Sequence, residues 1–127
     1  MTQVRLSYAY GTSQQPLLGM TIGDKFDQAC LQYADQDAVI SVHQNVRLSY
    51  KQLQNKVNAF ACSLIQLGLN KGDRLGIWSP NCVEWTISQF AAFKAGIILV
   101  NLNPSYKSSE LEFVLNKVSC RLWSCRV

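Results

Sequence analysis

Apolar residues along this chain recur at two different spacings, and the switches between them divide it into short alternating elements. After Thr21, a residue able to cap a helix, Ile22, Phe26, Ala29, Cys30 and Tyr33 return every third or fourth position and predict a helix with one apolar stripe. Residues 38–42 and 46–48 are short β-prone runs parted by His43, Gln44 and Asn45, the pattern of a small hairpin with His43 in its turn. Ser49 and Gln52 then make an S-x-x-Q capping box, with Leu48 and Leu53 placed for a hydrophobic staple. Leu53, Val57, Phe60, Ala61, Leu64 and Leu67 form the stripe of the helix that follows, and Gly68 can stop it.

The second half repeats this rhythm. A Lys71-Gly72-Asp73 turn leads into a strand over 74–78, and Asn81 with Glu84 is placed to cap a helix running through Ala95 to a stop at Gly96. Residues 97–100 are an unbroken β-branched and leucine run, as expected of a strand covered on both faces, and 101–104 is the loop leaving it. Leu111, Val114, Leu115 and Val118 mark the buried side of a last helix, and Leu122 with Trp123 begins another strand. Strands alternating with helices of this length predict an α/β fold, helices packed on a mainly parallel sheet. Residues 1–20, with Gly11, Pro16 and Gly19 among polar residues and no sustained period, read as an extended leading segment.

Composition narrows the class. With 127 residues and 48% hydrophobic content the chain can bury one core, and with 16% charged residues and no single-sign tract it has no segment too polar to collapse. The net charge of +4 comes from twelve scattered Lys and Arg, without the basic cluster or interleaved aromatics that nucleic-acid binding needs. Residues 90–100, the longest greasy stretch, are interrupted by Lys94 and Gly96 and are too short to cross a bilayer, which predicts a soluble chain without a transmembrane segment. Residues 1–6 have neither a signal-peptide core nor a convincing transit peptide. Cys30, Cys62, Cys82, Cys120 and Cys125 are an odd set without the close pairing of zinc ligands, which predicts reduced thiols inside the cell. Cys62 falls at a core-facing position by spacing and is expected to be a small buried hydrophobe, not a catalytic thiol.

A search for chemistry yields no catalytic, cofactor-binding or metal-binding residue. Neither glycine-rich phosphate motif occurs; Gly11-Thr12-Ser13 has no second glycine and no following lysine, so it reads as a flexible loop. Gly72 and Gly76 flank a strand, which assigns them to turn geometry and close packing. The single histidine has no partner that spacing places beside it, and the eight acidic residues fall mostly at helix starts and turns. Trp78, Trp85, Phe90 and Tyr106 could line a pocket, although their spacing fits core packing as well. Ser79-Pro80-Asn81 and Asn101-Leu102-Asn103-Pro104 lie at the carboxyl ends of strands, where open α/β sheets bind ligands.

Specific motifs go further than composition. Leu48-Ser49-Tyr50-Lys51-Gln52-Leu53 resembles the first core motif of the adenylate-forming superfamily of acyl-CoA synthetases, luciferases and peptide-synthetase adenylation domains. It is followed in the family's order by Leu67-Gly68-Leu69, Lys71-Gly72-Asp73-Arg74-Leu75, Pro80-Asn81 with Glu84-Trp85, and Phe93-Lys94-Ala95-Gly96-Ile97-Ile98-Leu99-Val100-Asn101, the last similar to the second core motif. Asn103-Pro104-Ser105-Tyr106 with Glu110-Leu111 extends the likeness, which covers about residues 21–122. The stretch from Ser7-Tyr8 to Gly19 looks most like the medium-chain acyl-CoA ligase branch, which is usually mitochondrial, though the cytoplasm stays open.

The resemblance implies the amino-terminal part of such an enzyme's large domain, incomplete, with residues 123–127 a divergent tail. It implies for the full-length parent a reaction of fatty acid, ATP with magnesium, and CoA through an acyl-adenylate, releasing AMP. The family's phosphate-gripping loop, its adenine and ribose contacts, its hinge and its carboxy-terminal lysine have no counterpart in these residues, so the chain alone is expected to hold no cofactor and to be inactive. A truncated or spliced product, or an incomplete gene model, is the expected origin; a small interaction module that associates with a full-length synthetase is the alternative. Lys107 stands where many relatives have a capping threonine, which predicts the loss of the T-x-x-E box.

Overall fold

The computed structural model describes residues 11, 14–15 and 17–125, so the Gly11-Thr12-Ser13 reading and most of the leading segment fall outside it. The described elements are α1 (Ile22–Gln32), β1 (Asp37–Ser41), β2 (Val46–Ser49), α2 (Tyr50–Gln66), β3 (Arg74–Trp78), α3 (Val83–Ala95), β4 (Ile98–Leu102), α4 (Ser108–Lys117) and β5 (Leu122–Cys125). β1 and β2 pair antiparallel as a separate hairpin, with a register shift between Asp37 and Val39. β3, β4 and β5 form a parallel sheet in the order β4-β3-β5, so the first strand in sequence is the central one.

Local chemistry explains most boundaries. Thr21 accepts from the Asp24 amide and starts α1. Ser49 and Gln52 exchange side-chain and backbone hydrogen bonds in the expected box, 3.3 and 2.9 Å, and start α2. Gly68, with φ of 88°, turns the chain after α2, and Gly96, with φ of 69°, caps α3 in the left-handed conformation. The 70–73 turn is tied by the Asn70 amide donating to Asp73 Oδ2 at 2.7 Å.

The core lies where α1, α2 and α3 meet β3. Val57, Leu64, Ala91 and Ala92 have no exposed surface, and the paired alanines let α2 approach α3 closely. Phe26 stacks on Phe90, ring centroids 4.4 Å apart, and closes the core under α1. A polar clamp joins the same helices: Lys94 Nζ donates to both Asp27 oxygens at 2.7 and 2.6 Å and to Asn58 Oδ1 at 2.7 Å, while Gln54 Nε2 donates to Asp27 Oδ1. The lysine that interrupts the greasy 90–100 stretch is therefore the cation of an interhelical ion pair.

Several expectations are corrected. Cys62 is exposed, because one step of about 100° beyond Ala61 rotates it off the stripe that buries Leu53, Val57, Ala61 and Leu64. Leu67, Ile22 and Tyr33 are also exposed, since each stands at a helix end past the reach of the core. β4 is not covered on both faces, since Ile98 is 52% exposed, and among the described residues it lies at the edge of the sheet. Neither Asn81 nor Cys82 caps α3; the acceptor for the Val83 amide is Gln44 in the hairpin turn. Only Leu111 of the α4 stripe is buried, with Val114, Leu115 and Val118 half-buried. At Lys107 half of the capping box survives: Glu110 accepts from the Lys107 amide at 2.9 Å, and an ammonium has no lone pair to return the bond.

Candidate functional site at the carboxyl edge of the sheet

Parallel pairing brings the strand ends into one rim. Trp78 lies opposite Leu102 on one side and Cys125 on the other, so the loops leaving β3 and β4 both open at the same edge. Ser79, buried, donates its hydroxyl to the Pro80 carbonyl at 2.9 Å and lies 3.6 Å from Cys82 Sγ. The Trp78 indole donates to the Asn103 carbonyl at 2.9 Å, and Asn103 Oδ1 accepts from the Ser105 amide at 3.0 Å, so the second loop is clasped to the central strand. Trp78 and Trp123 rings approach to 6.2 Å beneath it.

The chemistry of this rim is nearly uncharged. Its described loop residues, 79–82 and 103–107, carry one charged side chain, the exposed Lys107 at the start of α4. A single lysine falls short of what a nucleoside triphosphate with magnesium needs, several cations or converging amides on the phosphates and oxygen ligands on the metal. Among the described residues no cluster of three His, Cys, Asp or Glu could hold a metal ion. The amino edge is where the charges stand: Arg74 Nε donates to the Val118 carbonyl at 2.8 Å, and Arg121 pairs with Asp73 at 2.9 Å.

The four candidate aromatics do not converge. Trp78 belongs to the rim, whereas Phe90 borders a cavity of ≈ 370 Å³ at the far side of α1, with Leu18, Met20 and Tyr50. Tyr106 lines a shallow cavity against Phe113 and Val114, and Trp85 is half-buried in the first turn of α3. His43, in the hairpin turn as expected, lies 3.2 Å from the Ser41 hydroxyl. Burial pushes the Cys30 and Cys120 thiols up, so both are held protonated and neither is an activated nucleophile. At Asp27 burial acts upward, but hydrogen bonds from Lys94 and Gln54 and the lysine's charge outweigh it and hold the carboxyl below its ordinary value.

Gly76 and Gly72 do what their sequence positions suggest: Gly72 turns with φ of 89°, and Gly76 is buried where β4 and β5 close around β3. Sequence reasoning missed Gln44 and the Asp27–Lys94 pair, whose partners lie 39 and 67 residues away. Lys94 within an apolar stretch was the one available signal.

Comparison with known proteins decides the lineage, for residues 26–125 match the family described as AMP-binding enzyme. The chain belongs to the AMP-binding enzyme family. Within that family it is 45% identical over 116 residues to the mouse protein named medium-chain acyl-CoA ligase ACSF2, mitochondrial, and 41% identical to the human protein of that name. Each alignment covers 91% of this chain and 19% of the relative, so the chain spans about a fifth of the length of these relatives. In structure it is similar to the N-terminal domain of FACL13 from Mycobacterium tuberculosis, with a TM-score of 0.80 and 28% identity over 83% of this chain and 26% of that one. The N-terminal subdomain of NpsA from Klebsiella oxytoca gives 0.77 and 25%, again over 83% of this chain, and 27% of that one. The α/β fold of this chain is thus that of part of an adenylate-forming enzyme's N-terminal domain.

Proposed function

We propose that this chain forms the first helices and strands of the large domain of a fatty acid or medium-chain acyl-CoA ligase and does not catalyse acyl activation as these 127 residues alone. The parent reaction joins fatty acid and CoA at the expense of ATP, giving acyl-CoA, AMP and diphosphate, in the mitochondrion if the named relatives are a guide. The observation that carries this reading is the 45% identity to a medium-chain acyl-CoA ligase along nearly the whole chain. Inactivity in isolation follows from the nearly uncharged rim: charge developing on the phosphates during adenylation would meet only Lys107 among the described strand-end loop residues. Purified chain is expected to give no fatty-acid-dependent exchange of pyrophosphate into ATP. Exchange above background would overturn the reading.

A second reading, association with a full-length synthetase, is favoured by the sheet's outer edges. β4 and β5 have no outer partner strand among the described residues, and Ile98 and Trp123 are about half exposed there. Co-purification with a medium-chain acyl-CoA ligase would support it, and a monodisperse chain that ignores such a ligase would count against it.

A further inference from the structure

Helix α3 begins at the loop that forms half of the rim, yet its own N-cap residue, Cys82, makes no side-chain capping hydrogen bond to the helix. The missing acceptor arrives from a distant element. Gln44, in the turn between β1 and β2, reaches the Val83 amide with Oε1 at 2.8 Å and donates from Nε2 to Glu84 Oε2 at 2.9 Å. Its Oε1 also accepts from the Ser41 hydroxyl at 3.0 Å, which holds the side chain from within the hairpin. The amide orientation is settled by its partners, since an N–H faces one end and a carboxylate the other.

From this geometry we infer that Gln44 is the positioning residue of the β3–α3 loop, a cap supplied from a distant part of the same chain that ties the hairpin to the sheet's carboxyl rim. Val83 is buried, so its amide has no ready replacement partner in solvent when Gln44 is removed. Among the described residues, the side-chain bonds of the Ser79-Pro80-Asn81-Cys82 segment are otherwise the short-range Ser79 bonds described above. Gln44 therefore does for this loop what the Trp78 indole does for the Asn103 loop. Its functional meaning, a fixed rim for the ligand edge, rests on the ligase reading; the cap itself does not.

Amide hydrogen exchange of the purified chain tests the inference. In Gln44→Ala, protection at Val83 and Glu84 should fall by roughly fivefold to tenfold, the loss of one N-cap, while β3 amides keep theirs. In Gln44→Glu the carboxylate still accepts from Val83 but faces Glu84, so protection there should recover as pH falls from 7 toward 5 and the acid pair takes up a shared proton. The pH response reports that the side chain at position 44 faces Glu84 as well as the Val83 amide. Unchanged protection at Val83 in Gln44→Ala, equal loss throughout β3, or a Gln44→Glu response flat with pH would each overturn the inference. Should Gln44→Ala not fold, Ser41→Ala keeps Gln44 and removes its support; a selective decrease at Val83 sustains the inference and none refutes it. The pyrophosphate exchange assay reports on the ligase reading separately, so either can fail without the other.

Discussion

Replacing Gly76 with alanine probes the point on which the parallel sheet is assembled. A Cβ at that position would lie 3.1 Å from Cys120 Sγ, 3.2 Å from Leu102 Cδ1 and 3.2 Å from Trp123 Cβ. Those atoms come from the turn before β5, from β4 and from β5, so no single side-chain rotation relieves all three. Overpacking of this kind costs about 1–3 kcal/mol. The backbone there does not require glycine, so alanine also removes unfolded-state freedom, a gain of about 0.4–1 kcal/mol in the opposite direction. The central values of the two effects leave a net loss of about 1.3 kcal/mol. Urea denaturation followed by fluorescence should show a lower midpoint at unchanged slope, because the surface exposed on unfolding barely changes. Adding Cys120→Ala should recover part of the loss, since two of the three close approaches persist. Stability equal to or above that of the parent would refute the close packing of β4 and β5 around this glycine.

The Asp27–Lys94 clamp and the thiols give two further tests. Asp27 has a depressed folded value, so its contribution is full above the unfolded carboxylate value of about 3.9 and is lost as pH falls through the folded one; Asp27→Asn should flatten the acid limb of a stability–pH profile. With Asp27 about a third exposed and screened, the loss at pH 7 should be about 1–2 kcal/mol, and an unchanged acid limb would show the pair to be idle. A thiol reagent should label exposed Cys62 rapidly in the native chain and reach buried Cys30 only as it unfolds, with mass mapping of the modified peptides as the check.

What could be read from the residues follows the range of the forces involved. The box of Ser49 and Gln52, the Thr21 cap and the Gly96 stop act within four residues, so their side-chain chemistry is written in adjacent letters. The α/β alternation and the carboxyl-edge loops were legible for the same reason, as was the family resemblance, carried by short motifs in a fixed order. Periodicity failed where burial depends on what lies opposite. Cys62 is one turn-step off the stripe, and the run of β4 was read as a covered strand although its outer edge has no partner among the described residues. Gln44 and Asp27 were invisible as partners because nothing near them in sequence states which distant amide or ammonium they will meet.

The distribution of charge across the sheet joins fold to function. In a parallel sheet all strands point the same way, so its two edges are chemically distinct and only the carboxyl edge has the crevice geometry that ligands use. Here Asp73, Arg74 and Arg121 crowd the amino edge and bind one another or nearby carbonyls, while the described carboxyl-edge loops carry mostly amides, hydroxyls, prolines and aromatics, with Lys107 as their charged side chain. The guanidinium groups of Arg74 and Arg121 are therefore at the amino end of the strands and already engaged. Moving a cation to the rim, as in Asn81→Arg, would supply charge without the converging donors that transition-state stabilisation demands. The carboxyl edge of this sheet is thus a braced wall with little charge, its two loops fixed by Gln44 and Trp78.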